Sequence, residues 1–192
     1  MDKVDTLKKL ESEIFADKSL PLLESNLVFG EGSGSPKVLF IGEAPGATEN
    51  ELGRPFVGRA GKLLDKLLAE VGWKREEVYI TNIVKRRPPD NRDPLPEEIS
   101  AYKPYLTRQI EIIDPPLIVT LGRFSMNYFL PEAKITKDQG KVFKINDRFI
   151  YPLLHPAAAM RSTETMEMLR KSFLRLPAVV KKCAKIREKK HY

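Results

Sequence analysis

The sequence predicts an α/β fold, a three-layer α/β/α sandwich around a central, mostly parallel four-stranded sheet. Three observations carry that expectation. Four strand-length apolar runs, at 37–42, 78–84, 116–121 and 148–154, have the near-continuous hydrophobicity of strands buried on both faces. Apolar residues at helical spacing fill the intervals at about 59–72, 96–113 and 122–130, and strands alternating with helices make parallel sheets covered on both sides. The 192 residues contain no interdomain linker, internal repeat or long low-complexity stretch, so a single domain, 1–192, with a full core is expected.

In chain order, Val4, Leu7, Leu10 and Ile14 recur at helical spacing, so 1–26 reads as an N-terminal helix, capped by Asp2 or Asp5, and a lead-in. Residues 27–36 read as a short strand-like piece and a turn rich in glycine and serine. The run 37–42 empties into a segment, 42–61, that holds five glycines, two prolines and three glutamates. Connections in compact domains are usually a few residues long, and longer ones tend to be functional. Residues 142–150 look like a hairpin around Asn146-Asp147 that feeds the last core strand. One final helix is expected over about 163–187, ending in a basic tail at 181–192.

Composition removes several classes of function. No apolar stretch is long enough for a transmembrane helix, and the N-terminus lacks the charged-then-apolar pattern of a signal peptide, so a cytoplasmic protein with no membrane partner is expected. The single cysteine, Cys183, excludes a disulfide framework and a multi-cysteine metal site within one chain, and two histidines leave little for zinc. A formal charge of +7 favours a polyanionic partner, although a basic protein without one has the same composition.

Right-handed crossovers place the loops after the strands along one sheet edge, where open α/β sheets bind ligands. Glu43, at the end of the first strand, suits orienting or deprotonating water, and equally suits capping a helix. Glu49 and Glu51 read as solvated, unless one walls a small pocket. Phe56, in a loop rather than a periodic stripe, suits stacking on a planar base or plugging the core beneath its loop. Asn82 ends the second strand with an amide able to read a base edge or to cap its own turn. Lys85, Arg86, Arg87 and Arg92 surround a proline pair and read as an exposed basic loop suited to phosphates, or as a solvated charge run. His155, held by Pro156 at the end of the last strand, suits stabilising charge on a leaving oxygen or a purely structural part. The glycine-rich loop fits neither G-x-G-x-x-G nor G-x-x-x-x-G-K-[ST], which argues against a nucleotide-phosphate cradle.

Taken together, 42–46 (Gly-Glu-Ala-Pro-Gly), 53–61 (Gly-Arg-Pro-Phe-Val-Gly-Arg-Ala-Gly), 81–85 (Thr-Asn-Ile-Val-Lys) with Arg87-Pro88-Pro89, and His155-Pro156 resemble the thermophile-type family 4 of uracil-DNA glycosylases. Val28-Phe29-Gly30-Glu31-Gly32 and Leu121-Gly122 match as well, so the resemblance runs over roughly 15–180 in the family's order. It implies base-excision repair: uracil is flipped from DNA into the sheet-edge pocket and its N-glycosidic bond is hydrolysed. By the same resemblance Phe56 stacks on the base, Asn82 bonds its polar edge, Glu49 crowds the C5 position, and Gly42 and Ala44 line the pocket. His155 donates to the uracil oxygen that gains charge, and Glu43 positions the water. The partner implied is uracil-containing DNA, met by a monomer. The basic tail leaves open a sliding clamp or simple tracking of DNA. The rival reading is a non-catalytic DNA-binding or polymerase-associated module of the same fold.

Two departures stand out. The family holds an iron–sulfur cluster through four cysteines, and here the corresponding positions are Arg86, Tyr102 and, near the N-terminus, the neighbourhood of Phe15 and Lys18. A cluster needs thiolates, so the expectation is no cofactor and no metal, with Phe15, Tyr102 and Arg86 packed together in its place. Relatives place a large apolar wedge four positions after the histidine. Here that position is Ala159, which passes the wedge to Met160, flanked by Arg161 as a DNA contact. No histidine lies in 85–95, so covalent trapping of DNA is not expected.

Overall fold

The computed structural model describes residues 2–189. Its elements in chain order are α1 (Lys3–Ala16), β1 (Glu31–Gly32), β2 (Leu39–Gly42), α2 (Ala47–Leu52), α3 (Arg59–Glu70), β3 (Tyr79–Asn82), α4 (Pro96–Ile113) and β4 (Ile118–Leu121). There follow α5 (Arg123–Phe129), α6 (Ile135–Asp138), β5 (Phe143–Ile145), β6 (Arg148–Leu153), α7 (Pro156–Ala159), α8 (Thr163–Phe173) and α9 (Leu176–Glu188). The four expected strands are present and parallel, in the order β3-β2-β4-β6. Two short antiparallel strands, β1 beside β3 and β5 beside β6, extend the sheet to six.

Alternation along each strand feeds two cores. Val38 and Phe40 of the β2 run join Leu64, Leu67 and Leu68 of α3, Leu169 and Phe173 of α8 and Leu176 of α9 on one face. Leu39 and Ile41 join Leu7, Leu10 and Ile14 of α1 and Tyr102, Leu106 and Ile110 of α4 on the other. All four residues of β2, β3 and β4 are buried, as strands covered on both faces must be.

The register sets the level of the site. Gly42 pairs with Asn82, Ile41 with Thr120 and Leu121 with Leu153, so Glu43, Asn82, Gly122 and His155 emerge at one height along the carboxyl edge. The segment 42–61 is not a structureless loop, because α2 occupies its middle and ends on Gly53 in the left-handed region at φ 65°.

The expected single helix over 163–187 is instead two helices, α8 and α9. Pro177 sits in the first turn of α9, where its missing N–H costs nothing, whereas in a continuous helix its ring would strike the carbonyl four residues back. The basic tail expected at 181–192 is helical up to Glu188, and 190–192, with His191, lies outside the described residues. No helix among the described residues is long and apolar enough to cross a membrane.

Candidate active site

The loops after β2, β3, β4 and β6 enclose a cavity of about 560 Å³ at the carboxyl edge of the sheet, lined among others by Glu43, Ala44, Glu49, Phe56, Asn82 and His155. Gly42 lies beneath it, and its missing side chain is what allows the walls to meet. A Cβ there would fall 2.5 Å from both Asn82 Oδ1 and Phe56 Cζ.

Phe56 is buried and adopts φ 50°, a left-handed conformation that costs a residue with a side chain about 1–3 kcal/mol unless its surroundings impose it. They do so here from three sides. The Arg75 guanidinium donates to the main-chain oxygens of Pro55 and Phe56, the latter at 3.0 Å, and is itself anchored by Glu31 at 2.7 Å and Asp65 at 2.8 Å. Glu49 Oε1 accepts the N–H groups of Val57 at 2.9 Å and Gly58 at 2.7 Å. Helix α3 closes from below at Gly61, where a Cβ would lie 1.8 Å from the Phe56 oxygen. Phe56 joins the core under its loop and also forms a wall of the cavity. Glu49 corrects the solvated reading, since its carboxylate is committed to the loop and lines the cavity.

Asn82 is 2 % exposed, and its Oδ1 has no hydrogen-bond partner among the described residues. Buried amide oxygens are normally satisfied, so an unpartnered one on a cavity wall points to a ligand donor. His155 Nδ1 accepts the N–H of Ala157 at 3.1 Å, and its ring lies 5.7 Å from that of Phe56. Burial pulls its pKa down to about 4, against the opposing pull of the Glu49 carboxylate. The imidazole is thus neutral near pH 7, and with Nδ1 an acceptor its proton resides on Nε2. Gly122, at φ 95°, lets the β4 edge approach the histidine, for a Cβ would lie 3.0 Å from that of His155. Glu43 has its pKa pushed up to about 7, first by burial and then by Asp93, with Arg123 pulling the other way. A carboxylate so tuned is an effective proton acceptor near neutrality.

Several basic residues lie elsewhere than the sequence suggested. Lys85 and Arg86 are not on an exposed loop: both are buried, because the chain turns inward after Asn82 and their polar ends find acceptors in the core. Arg87 is half-buried and donates to Asn91 Oδ1 at 2.7 Å, while Arg92 is tied to Glu98 at 2.6 and 2.9 Å. Arg161 is exposed and lines the cavity, whereas Met160 is exposed but outside the lining. Ala159 is fully buried, whereas Met160 beside it faces outward. The sequence reading missed Asp93 and Arg123, an ion pair at 2.8 Å on the cavity wall beside Glu43. Arg123 was within reach of the topological argument, since it follows Gly122 at the end of β4. Asp93 was not, lying eleven positions beyond its strand.

The positions where the resemblance places cluster ligands do not fit an iron–sulfur group. Tyr102 is fully buried and donates to the Pro21 oxygen at 2.9 Å, and Arg86 donates to the Ser25 oxygen. Phe15, expected to pack with them, is 63 % exposed with Lys18 Nζ 5.6 Å from its ring centre. Carbonyl hydrogen bonds from Arg86 and Tyr102 bind the lead-in segment without it. Cys183 lies across the sheet, in the core opposite that of Tyr102. No cluster of metal-ligating side chains occurs among the described residues.

Comparison with known proteins adds lineage to this geometry. Residues 29–176 match the family model of the uracil DNA glycosylase superfamily. The chain is 43 % identical to a type-4 uracil-DNA glycosylase of Sulfurisphaera tokodaii, over 90 % of this chain and 84 % of that protein. It is 47 % identical to one from Saccharolobus solfataricus, over 77 % of this chain and 73 % of that protein. A DNA polymerase of Bacillus phage SP01 is 38 % identical over 69 % of this chain, a stretch that makes up 14 % of the polymerase.

Proposed function

The chain belongs to the uracil-DNA glycosylase superfamily, and from that premise we propose that it is a monofunctional uracil-DNA glycosylase working through the cavity at the carboxyl edge of its sheet. It hydrolyses the N-glycosidic bond of uracil in DNA and leaves an abasic site for repair. The observation that carries the residue assignment is the convergence of Glu43, Phe56, Asn82 and His155 on one cavity, with Asn82 Oδ1 lacking a partner.

In this reading the uracil nucleotide is flipped out of the DNA and stacks on Phe56. Asn82 bonds its polar edge, and Glu49, already held by the loop, crowds C5 against the methyl of thymine. As the C1′–N1 bond breaks, its electron pair moves into the uracil ring and onto an oxygen that accepts from His155 Nε2–H. A neutral imidazole donor suits this task, because it stabilises growing negative charge without first giving up a proton. Glu43 orients water toward C1′ and takes its proton as the new C–O bond forms. Met160 wedges into the space left in the stack, with Arg161 on the backbone. None of these steps needs a metal, and the misfit of Arg86, Tyr102, Phe15 and Lys18 with thiolate ligation supports a protein without an iron–sulfur cluster. A stoichiometric iron content, with a visible absorption band after anaerobic purification, would overturn that part. A monomer in the cytoplasm fits the same reading, and the basic end of α9 is where a sliding clamp would be sought.

The test is incubation with a uracil-containing oligonucleotide followed by alkaline cleavage of abasic sites. A product band that forms far more slowly in Asn82→Ala and His155→Ala is expected. The similarity to part of a phage polymerase favours the second reading, a non-catalytic module. DNA binding without product, over a range of salt and temperature, would decide for it.

A further inference from the structure

Lys85 is fully buried, and the excision chemistry makes no use of it. Its Nζ donates to Thr81 Oγ1 at 2.6 Å, to Gln109 Oε1 at 2.5 Å and to the main-chain oxygen of Asn82 at 2.9 Å. An ammonium has three N–H groups, and each meets an acceptor. These acceptors are themselves committed. The Thr81 hydroxyl donates to the Phe29 oxygen at 2.7 Å, and Gln109 Nε2 donates to the same oxygen and to Tyr79 Oη, both at 3.1 Å. Burial pulls the lysine pKa well down, while the three acceptors offer a partner to every proton of the ammonium.

The contact with Asn82 has a topological reason. In a trans peptide the carbonyl of one residue and the N–H of the next point in opposite directions. The N–H of Ile83 points to β2 and donates to the Gly42 oxygen at 3.0 Å, so the Asn82 oxygen points to the β1 side. There β1 pairs only with Tyr79 and Ile80 and stops short. The sheet offers no N–H at that height, and Lys85 supplies one. Both sides of the peptide that follows Asn82 are thereby pinned, and with them the direction of its Cα–Cβ bond.

We propose that Lys85 is a positioning residue for Asn82, replacing the missing ladder hydrogen bond and so aiming the amide that holds the uracil edge. The inference rests on the proposed glycosylase reading. It also gives the lysine of the basic run 85–92 a part beneath the pocket rather than on the DNA backbone.

A double-mutant cycle tests it, using single-turnover excision of uracil from a single-stranded oligonucleotide by the wild type, Lys85→Met, Asn82→Ala and the double variant. Lys85→Met is expected to slow excision about 10- to 100-fold in the wild-type background, as small misplacements of a binding group do. In the Asn82→Ala background the same change should cost less than about twofold, because the group it aims is gone. Inhibition by free uracil should weaken in Lys85→Met in step with the rate. Equal losses in both backgrounds, or no loss in the first, would overturn the proposal. If Lys85→Met does not fold by circular dichroism, Thr81→Val, which removes one acceptor of Nζ, takes its place in the cycle with the same two outcomes. A wild type that releases no uracil would refute the glycosylase reading itself, a result distinct from any pattern within the cycle.

Discussion

The Phe56 wall of the cavity is clasped by neighbours along the chain, with Glu49 reaching 8 and 9 positions to Val57 and Gly58 and Arg75 reaching 19 and 20 to Phe56 and Pro55. The wall with Asn82 and His155 differs: His155 accepts the nearby Ala157 N–H, but Asn82 is held through partners that only the sheet brings near. Lys85 reaches Gln109 at a separation of 24, and Gln109 reaches Phe29 at 80. The first clasp is made of partly exposed charged groups and the second of a lysine with no access to water. Exposed ion pairs contribute little and are screened by salt, whereas a buried charge must keep all its partners. The Phe56 wall should therefore tolerate loss of single contacts, and the Asn82 wall should not.

The sharpest way to break the contrast is to remove a functional group from the far wall. His155→Ala should lower single-turnover excision by about 10²- to 10³-fold, the usual loss when one donor to a developing oxyanion goes, with little change in DNA affinity. A loss confined to binding would move His155 off the leaving oxygen. Gly42→Ala attacks both walls at once, since the new methyl group would meet Phe56 and Asn82 at 2.5 Å. We expect a loss on the order of 10²-fold, and near-normal activity would mean that the walls yield more easily than their packing implies. Ionisation of Glu43 should set the pH profile. With a pKa of about 7, its carboxylate is mostly protonated at pH 6 and mostly ionised at pH 8, so the rate should rise about tenfold across that range and the rise should vanish in Glu43→Gln. His155, with a pKa of about 4, should add no inflection between pH 5 and 9.

The near wall should give smaller effects. Arg75→Met removes the donors to Pro55 and Phe56 but leaves Glu49 and Gly61 in place, so about a tenfold loss, mainly in KM, is expected. A loss as large as that of Asn82→Ala would show that the local clasp is no more redundant than the buried one. Met160→Ala is the mildest change. It should slow excision severalfold from duplex DNA and leave single-stranded substrate nearly untouched, because only a stacked duplex has a gap to fill.

Much of the frame was legible because burial on both faces leaves continuous apolar runs. All four core strands and the helices over 3–16, 59–70, 96–113 and 123–129 follow from periodicity within a residue or two. The break between α8 and α9 was also written in the sequence, at Pro177, but helical spacing runs through it and masks the stop. Of the cavity-lining residues, Glu43, Asn82 and His155 were legible because each ends or closely follows a strand, and Phe56 because it is an aromatic in a loop outside any periodic stripe. The fates of Lys85 and Arg86 were not. Two cations among prolines read as solvent-facing, and nothing local reveals that Gln109, the Ser25 oxygen and the Asn82 oxygen wait for them inside.

By itself, then, the amino-acid order determined the alternation of elements, the strand ends that bear chemistry and the family the chain resembles, because these depend on short-range periodicity and on residue type. The tertiary structure alone decided which charges are buried and that the His155 imidazole is neutral near pH 7. It also decided that Glu43 titrates near neutrality and that Phe56 is held in a left-handed turn. Those properties come from desolvation and from acceptors and donors contributed by distant segments, and neither exists until the chain has closed around them.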